Sequence, residues 1–192
     1  SPKKQLRMLY GGLNIINSNL KAKKLFTNSS RSEDGVNFIN SNIEIDQIKS
    51  SNILSDAVDS DSSNLEIGQI FCNNVKNDCL DLSYSSAKVS NLVAKNIGDK
   101  AISAGESSII NLENVIGSNS EMGLVAKDSS KVFVKLFEAD SVTLPIAAYI
   151  KKAELGPPLI KVMSLDNALL GKSLISDDSN VYLVGKKFIG KI

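Results

Sequence analysis

The sequence predicts an all-β protein: a right-handed parallel β-helix (solenoid) of about seven coils, with a period near 22 residues and a C-terminal cap. First, six aliphatic residues recur at a constant step of 22, at Val36, Val58, Leu80, Ile102, Leu124 and Ile146. Second, apolar and polar residues alternate in short runs that Gly, Asn, Ser and Asp separate, which is typical of strands and turns. A fixed period of this length indicates stacked units, each of which buries its apolar face against its neighbours.

Two further sets of residues follow the same step, and we call each set of equivalent positions in successive coils a column. The first column is small, at Gly35, Ala57, Cys79, Ala101 and Gly123, and the second is serine, at Ser41, Ser63, Ser85, Ser107 and Ser129. No apolar stripe with helical spacing is present in this region, so helical repeats are disfavoured. We therefore expect coils about 4.8 Å apart, with the aliphatic column inside. The serines should lie at turns, where their hydroxyls can bond to the backbone.

The repeat divides the chain into three parts. Residues 11–25 match residues 34–48 with a step of 23, so the β-helix is predicted over residues 11–162, after a leading strand, cap or linker at residues 1–10. Residues 163–192 are predicted to form the cap, with a short helix from Ser164 as N-cap to Gly171 and a strand or hairpin around Gly185. Such a cap would cover the open edge of the sheet. The chain begins at Ser1, which favours a piece of a longer protein.

Composition excludes several classes of function. The 22 Lys and Arg residues nearly balance 21 Asp and Glu residues, so there is no basic field for nucleic acid. The apolar stretches are too short for a membrane span, which needs about 20 residues. The sequence has no His, the usual activating base of a Ser or Cys nucleophile. Cys72 and Cys79 serve zinc poorly without His, and we predict that they are free thiols filling small interior positions.

Two acidic strings are the strongest candidates for a site. "SDAVD" at residues 55–59 returns as "NDCLD" at residues 77–81, so equivalent carboxylates should lie on adjacent coils about 5 Å apart. The favoured interpretation is a set of solvated turn residues, with Lys100 next in the column after Asp78. A second is a Ca²⁺ site, since this cation takes oxygen ligands; its ligands would be Asp56, Asp59, Asp78 and Asp81. A third is an acid and base pair acting on a glycosidic bond; its residues would be Asp56, Asp78, Asp81 and Lys100.

Part of the repeat resembles a known kind of module. "NDCLDLS", "DKAISAGE", "AKDSSKV" and "AAYIKK" resemble the right-handed parallel β-helix segments that accompany CotH-type, spore-coat-kinase-like domains in bacterial surface or secreted proteins. The similarity covers residues 34–152. It implies an accessory repeat module at the cell surface or outside the cell, with no catalytic residues to carry over.

A weaker resemblance is to polygalacturonases and other pectin-lyase-like β-helices. "SDAVD" falls at the first polygalacturonase string with Asp56, "NDCLD" at the second with Asn77 in place of one aspartate and Asp78 at the other, and "GDKAIS" at the third. This sequence lacks the histidine and the Arg-x-Lys string of that family. The resemblance implies a structural descendant of a hydrolase, or a lyase-like reaction in which Lys100 would be the base.

We therefore expect a non-catalytic structural or recognition module of a larger surface or secreted protein. Its expected ligand is a polysaccharide or a partner protein along the outer face, contacted by Asp59, Asp81, Tyr84 and Tyr149. The alternative is a polysaccharide-cleaving enzyme that acts through the acidic strings, assisted by Ca²⁺. No other cofactor is expected.

Overall fold

The regular structure of the chain is entirely β in the residues that the computed structural model describes, which are 11–30, 32–165, 173–176 and 178–188. One continuous sheet contains all the strands. Their bounds are β1 Gly11–Ile16, β2 Asn19–Asn28, β3 Asp34–Ile39, β4 Asn42–Ile53, β5 Val58–Asp61, β6 Asn64–Val75, β7 Leu80–Ser83, β8 Ser86–Gly105, β9 Ile109–Lys127, β10 Lys131–Tyr149, β11 Leu159–Leu165, β12 Ser173–Ile175, β13 Asn180–Leu183 and β14 Lys186–Phe188.

Successive coils pair in parallel along two series of strands. The short strands pair in the order β1, β3, β5, β7, β8, and the long strands in the order β2, β4, β6, β8. In β8, β9 and β10 the short and long strands join into single strands of 19 or 20 residues. The predicted β-solenoid of about seven coils with a period near 22 residues is confirmed, while its right-handed sense stays a prediction.

The aliphatic column forms the centre of the core, as predicted. Each member pairs with the equivalent residue of the next coil, from Val36 to Ile146, and all six are completely buried. Burial of such a side chain contributes roughly 1.5–3 kcal/mol. The small column is also required, since a Cβ at Gly123 would lie 2.4 Å from the carbonyl oxygen of Pro145 and 2.7 Å from Cζ of Phe137.

The predicted serine column lies at turns, and the hydroxyls of Ser41, Ser63, Ser85 and Ser129 bond to backbone, with Oγ of Ser129 accepting the N–H of Gly156 at 2.7 Å; only the register of the column changes after Ser85. Ser41, Ser63 and Ser85 are buried, and each Oγ accepts a backbone N–H of the preceding coil at 3.0–3.1 Å. The column then continues at Ser108, which accepts the N–H of Ser85, and not at the predicted Ser107. Likewise Ser130 replaces Ser129, its Oγ donating to the carbonyl of Ala104.

An inserted residue causes this change. Ser86 pairs with Ile109, a step of 23, whereas Ile102 pairs with Leu124, a step of 22, and an irregularity between Ile97 and Lys100 restores the register. Ser107 instead has a positive φ of 61° and occupies the turn. A fixed count of 22 therefore follows the aliphatic column but misplaces the buried serine by one residue.

The C-terminal prediction is partly corrected. Ser164 is not a helix N-cap, because it belongs to β11 and pairs with Leu136 of β10. The remainder of the predicted helix, at residues 166–172, and the predicted leading segment at residues 1–10 lie outside the described residues. At Gly185, which has a φ of 76°, the chain turns between β13 and β14, and these strands pair antiparallel as a hairpin.

The prediction of two free thiols is wrong, since Cys72 and Cys79 form a disulfide with a Cα–Cα distance of 5.7 Å. Both residues point into the core and are completely buried. Cys72 lies in β6 and Cys79 directly precedes β7, and the segment between these strands brings the two inward side chains together. The alternation of apolar and polar residues predicted that both cysteines lie in the interior. It did not predict that they lie close enough to form a disulfide.

Candidate functional site

The acidic strings form one surface, which we call the acidic face and define by Asp34, Asp56, Asp59, Asp61, Asp78 and Asp81. It lies along the outer side of β3, β5 and β7 and the turns that precede these strands. Asp59 and Asp81 pair in register on adjacent coils, as predicted. Asp34, Asp56 and Asp78 form the neighbouring column, at residues just before the aliphatic core.

The column of Asp34, Asp56 and Asp78 binds backbone. Oδ1 of Asp34 accepts the N–H of Asp56 at 3.3 Å, Oδ1 of Asp56 accepts the N–H of Asp78 at 2.8 Å, and Oδ1 of Asp78 accepts the N–H of Lys100 at 3.0 Å. Asp56 also accepts Nδ2 of Asn77 at 2.8 Å. Each carboxylate therefore holds the backbone of the next coil in place. Asp56 and Asp78 thus have a structural role, because each has an oxygen already occupied by a backbone N–H group.

Lys100 closes this column. Its Nζ lies 3.4 Å from Oδ1 of Asp78 and also contacts Asp99. Burial lowers the pKa of Lys100, but Asp78 and Asp99 more than compensate, so its pKa is raised above the ordinary value. Lys100 is therefore held as an ammonium, which is a poor starting state for the general base that the lyase-like resemblance implies.

Burial and the charges of neighbouring carboxylates raise the pKa values of Asp56, Asp59 and Asp78. Burial, and then the charges of Asp61, Asp34, Asp81 and Asp56, raise the pKa of Asp59 to about 8. Burial also raises the pKa of Asp78 to about 7, although Lys100 lowers it, and that of Asp56 to about 6, although the N–H of Asp78 lowers it. Strongly perturbed carboxyls in one cluster are a feature of functional sites.

These pKa shifts predict that the protein gains stability on mild acidification. A carboxyl whose pKa is higher in the folded than in the unfolded state binds protons on folding, so its contribution falls as pH rises from about 4 to its folded pKa. The melting temperature should therefore rise between pH 8 and pH 5, the window that the pKa values of Asp59, Asp78 and Asp56 define. Thermal melts across this range check it.

The matched variant for that measurement is Asp59→Asn, which removes the group with the highest pKa of the three. Its melting temperature should change less between pH 8 and pH 6 than that of the wild type. A wild type that melts at lower temperature as pH falls from 8 to 6 would contradict the prediction.

The two tyrosines proposed as binding residues differ in position. Tyr84 is 59% exposed and occupies a turn with a positive φ of 51°. Tyr149 is half-buried, and burial raises the pKa of its hydroxyl, with Lys100, Asp99 and Asp78 as the nearest charges. Tyr149 therefore adjoins the acidic face, whereas Tyr84 projects into solvent.

Within the described ranges, no three His, Cys, Asp or Glu side chains are arranged to share a metal ion. Asp56, Asp59, Asp78 and Asp81 thus do not converge as a single four-carboxylate site of the kind that the sequence suggested. Those same ranges also contain no helical segment with the length and apolarity needed to span a bilayer.

A second surface, which the sequence did not predict, lies on another side of the coils. Two adjoining cavities of about 650 and 550 Å³ share Glu44, Glu66, Lys88 and Asn111 and run along the solenoid. We call them together the outer groove. Three outward columns line it: Asn19, Asn42, Asn64, Ser86 and Ile109; Lys21, Glu44, Glu66, Lys88, Asn111, Phe133 and Lys161; and Asp46, Gly68, Ser90, Glu113, Lys135 and Met163.

Small residues widen the outer groove near its middle. Gly68 follows Asp46 in the third column, and a Cβ there would lie 2.6 Å from the carbonyl oxygen of Asp46. Ser90 is the next member. The signal in the sequence was this pair of small residues at an outward position, but only the bend of the strands shows that they open a groove.

The fold and these two surfaces define the chain as a β-solenoid with an acidic face and a polar groove. No protein-family model, curated protein or solved structure matches the chain.

Proposed function

We propose that the chain is a non-catalytic recognition module that binds an extended, neutral polysaccharide along the outer groove. The observation that carries this proposal is the groove itself, which crosses successive coils and presents polar side chains once per coil. A polymer with a regular repeat of hydroxyls matches a surface whose hydrogen-bonding groups repeat about every 4.8 Å.

The chemistry of the lining supports a hydroxyl-rich ligand. Asn42, Asn64 and Ser86 each donate to the preceding member of their column at 2.6–2.9 Å, which aligns their remaining polar atoms in a row. Phe133 supplies an aromatic face on which an apolar sugar face can pack.

The charge of the lining supports a neutral polymer. Four lysines, Lys21, Lys88, Lys135 and Lys161, stand against four acids, Glu44, Asp46, Glu66 and Glu113. Lys21 pairs with Glu44 at 2.5 Å and Lys135 with Glu113 at 2.7 Å. A surface without net charge offers no attraction to a polyanion.

The same geometry favours recognition over catalysis. Asp56 and Asp78, two of the carboxylates expected to act on a glycosidic bond, each accept a backbone N–H of the next coil, and Lys100 is paired with Asp78 and Asp99. Of the four residues expected to be catalytic, Asp81 then remains alone, whereas hydrolysis of a glycosidic bond requires a second carboxyl group to supply both the acid and the base. A polysaccharide-cleaving enzyme is therefore the less favoured alternative.

An extracellular or cell-surface location is part of the proposal. The disulfide between Cys72 and Cys79 supports it, because disulfides persist in oxidising compartments and are rare in the cytosol. The resemblance to segments of bacterial surface proteins points the same way.

Replacing Phe133 tests the groove. Phe133→Ala is expected to weaken binding of a neutral polysaccharide by about fivefold or more, since buried aromatic contacts dominate recognition. Phe26→Ala is the matched control, because Phe26 is 61% exposed but does not line the outer groove, so its truncation should leave binding unchanged. Affinity electrophoresis or calorimetry with a neutral glucan, a neutral mannan and anionic polygalacturonate measures the effect.

Several outcomes would contradict the proposal. Failure of all three polymers to bind, binding of polygalacturonate alone, or equal losses in Phe133→Ala and Phe26→Ala would each exclude the outer groove as a site for neutral polysaccharide. Release of reducing ends from any of the polymers would favour the enzymatic alternative.

A further inference from the structure

The column of Asn37, Asp59, Asp81 and Ser103 contains polar groups without partners. These residues pair in register on successive coils and point outward from the sheet. Asn37 is only 6% exposed and Ser103 is completely buried. Among the described residues, neither Oδ1 of Asn37 nor Oγ of Ser103 has a hydrogen-bond partner. A buried polar atom without a partner destabilises the folded state, so these two atoms require an explanation.

We propose that Asn37, Asp59 and Asp81 form a binding site for a calcium ion. The amide oxygen of Asn37 and the two carboxylates are the oxygen ligands that a hard cation takes. The site differs from the one that the sequence suggested, because Asp56 and Asp78 are engaged with backbone N–H groups. Asn37 occupies the adjoining coil of the column, in register with Asp59.

The spacing of the coils selects calcium over magnesium. Side chains in one column of a parallel sheet lie about 4.8 Å apart, so an ion midway between the oxygens of Asn37 and Asp59, or of Asp59 and Asp81, is about 2.4 Å from each of the two. The third side chain reaches that ion by leaning toward it from the next coil. Calcium binds oxygen at about 2.3–2.6 Å and tolerates irregular geometry, whereas magnesium requires about 2.0–2.1 Å and a near-octahedral shell. Without a large backbone shift, the column therefore fits the larger ion.

The surrounding charges favour a cation. Asp34, Asp56, Asp61 and Asp81 are the charged groups nearest to Asp59, and all are acidic. Lys100 contacts Asp78 and Asp99, and Lys152 pairs with Glu106 at 2.6 Å. A calcium ion would relieve the repulsion among these carboxylates.

The test is a calcium titration of the whole chain, followed by calorimetry and by thermal melting with Mg²⁺ as the comparison ion. We expect half-saturation at about 0.1–1 mM, the range of extracellular calcium modules. The melting temperature should rise by roughly 3–10 °C at saturating Ca²⁺, and by less with Mg²⁺.

Three variants locate the site. Asp59→Asn and Asp81→Asn should each lose most of the response to Ca²⁺, whereas Asp46→Asn, on the outer groove, should retain it. Asp59→Asn puts a neutral side chain of the same shape in place of a partly buried carboxyl among acidic neighbours, so it should melt no lower than the wild type without calcium, and loss of its response would not reflect unfolding.

No heat and no shift in melting temperature for the wild type at 10 mM Ca²⁺ would overturn the proposal. So would an unchanged response in both Asp59→Asn and Asp81→Asn, or an equal loss in Asp46→Asn. The inference does not rest on the proposed function, because the two surfaces share no residue and polysaccharide binding at the groove is measured separately.

Discussion

Leu80→Ala is expected to lower the free energy of unfolding by about 2–5 kcal/mol, the range for truncation of a large aliphatic side chain in a rigid core. Leu80 is completely buried at the middle of the aliphatic column, between Val58 and Ile102. The coils on both sides are held by the hydrogen bonds of the parallel sheet, so they cannot approach to fill the space. The cost should therefore include the cavity as well as the lost burial.

Chemical denaturation of wild type and variant measures this effect, and Leu54→Ala supplies the matched control. Leu54 is 59% exposed at a turn, so its truncation should change stability by no more than about 0.5 kcal/mol. Similar losses in the two variants would contradict the assignment of Leu80 to the centre of the core. Because one repeat contacts only its neighbours, a broadened transition in Leu80→Ala would indicate that the solenoid has separated into two cooperative parts.

The fold could be predicted from the sequence because every coil of a solenoid places the same kinds of residue at equivalent positions, so the pattern recurs along the chain. Val36 and its equivalents fixed the period, and the alternation around them fixed which side chains point inward. The same counting failed where one coil gained a residue, since the core column kept a step of 22 while Ser85 was followed by Ser108. An inserted residue changes a turn without changing the core. Counting residues at a fixed period therefore does not show which turn contains the insertion.

The candidate sites were harder to predict because they depend on which atoms are already engaged. The sequence brought Asp56, Asp59, Asp78 and Asp81 to one surface, and the structure does the same. It did not reveal that Asp56 and Asp78 bind backbone N–H groups, or that Asn37 lacks a partner. The outer groove was missed because its column contains Lys, Glu and Asn, which are typical of any solvated surface.

The resemblances to known families rest on short strings of residues, and most of these residues build the fold. The strings "NDCLDLS" and "SDAVD" include the residues that build the turns and the core, here Asp56, Asp78 and Leu80. A likeness in such residues follows from the β-helix itself, so it supports a shared architecture more than a shared activity. The resemblance to CotH-associated segments and to polygalacturonases therefore stays a prediction about origin and location.

Removing the disulfide is the second change expected to have a large effect. Replacing both cysteines, as Cys72→Ala with Cys79→Ala, should lower the free energy of unfolding by about 2.4 kcal/mol, the loop entropy for a separation of seven residues. The replacements suit their sites, since Cys72 pairs with Ala94 and Cys79 lies in a column with Ala57 and Ala101. The fold should therefore persist, and the loss should come from the cross-link.

Reduction of the wild type provides the internal control for this variant. A reducing agent should lower the melting temperature of the wild type to near that of the double variant and leave the double variant unchanged. Thiol titration of the denatured, unreduced wild type should detect no free thiol. Two free thiols in protein purified without reductant, or a melting temperature insensitive to reduction, would show that the cross-link does not form and would remove the main structural support for an extracellular location.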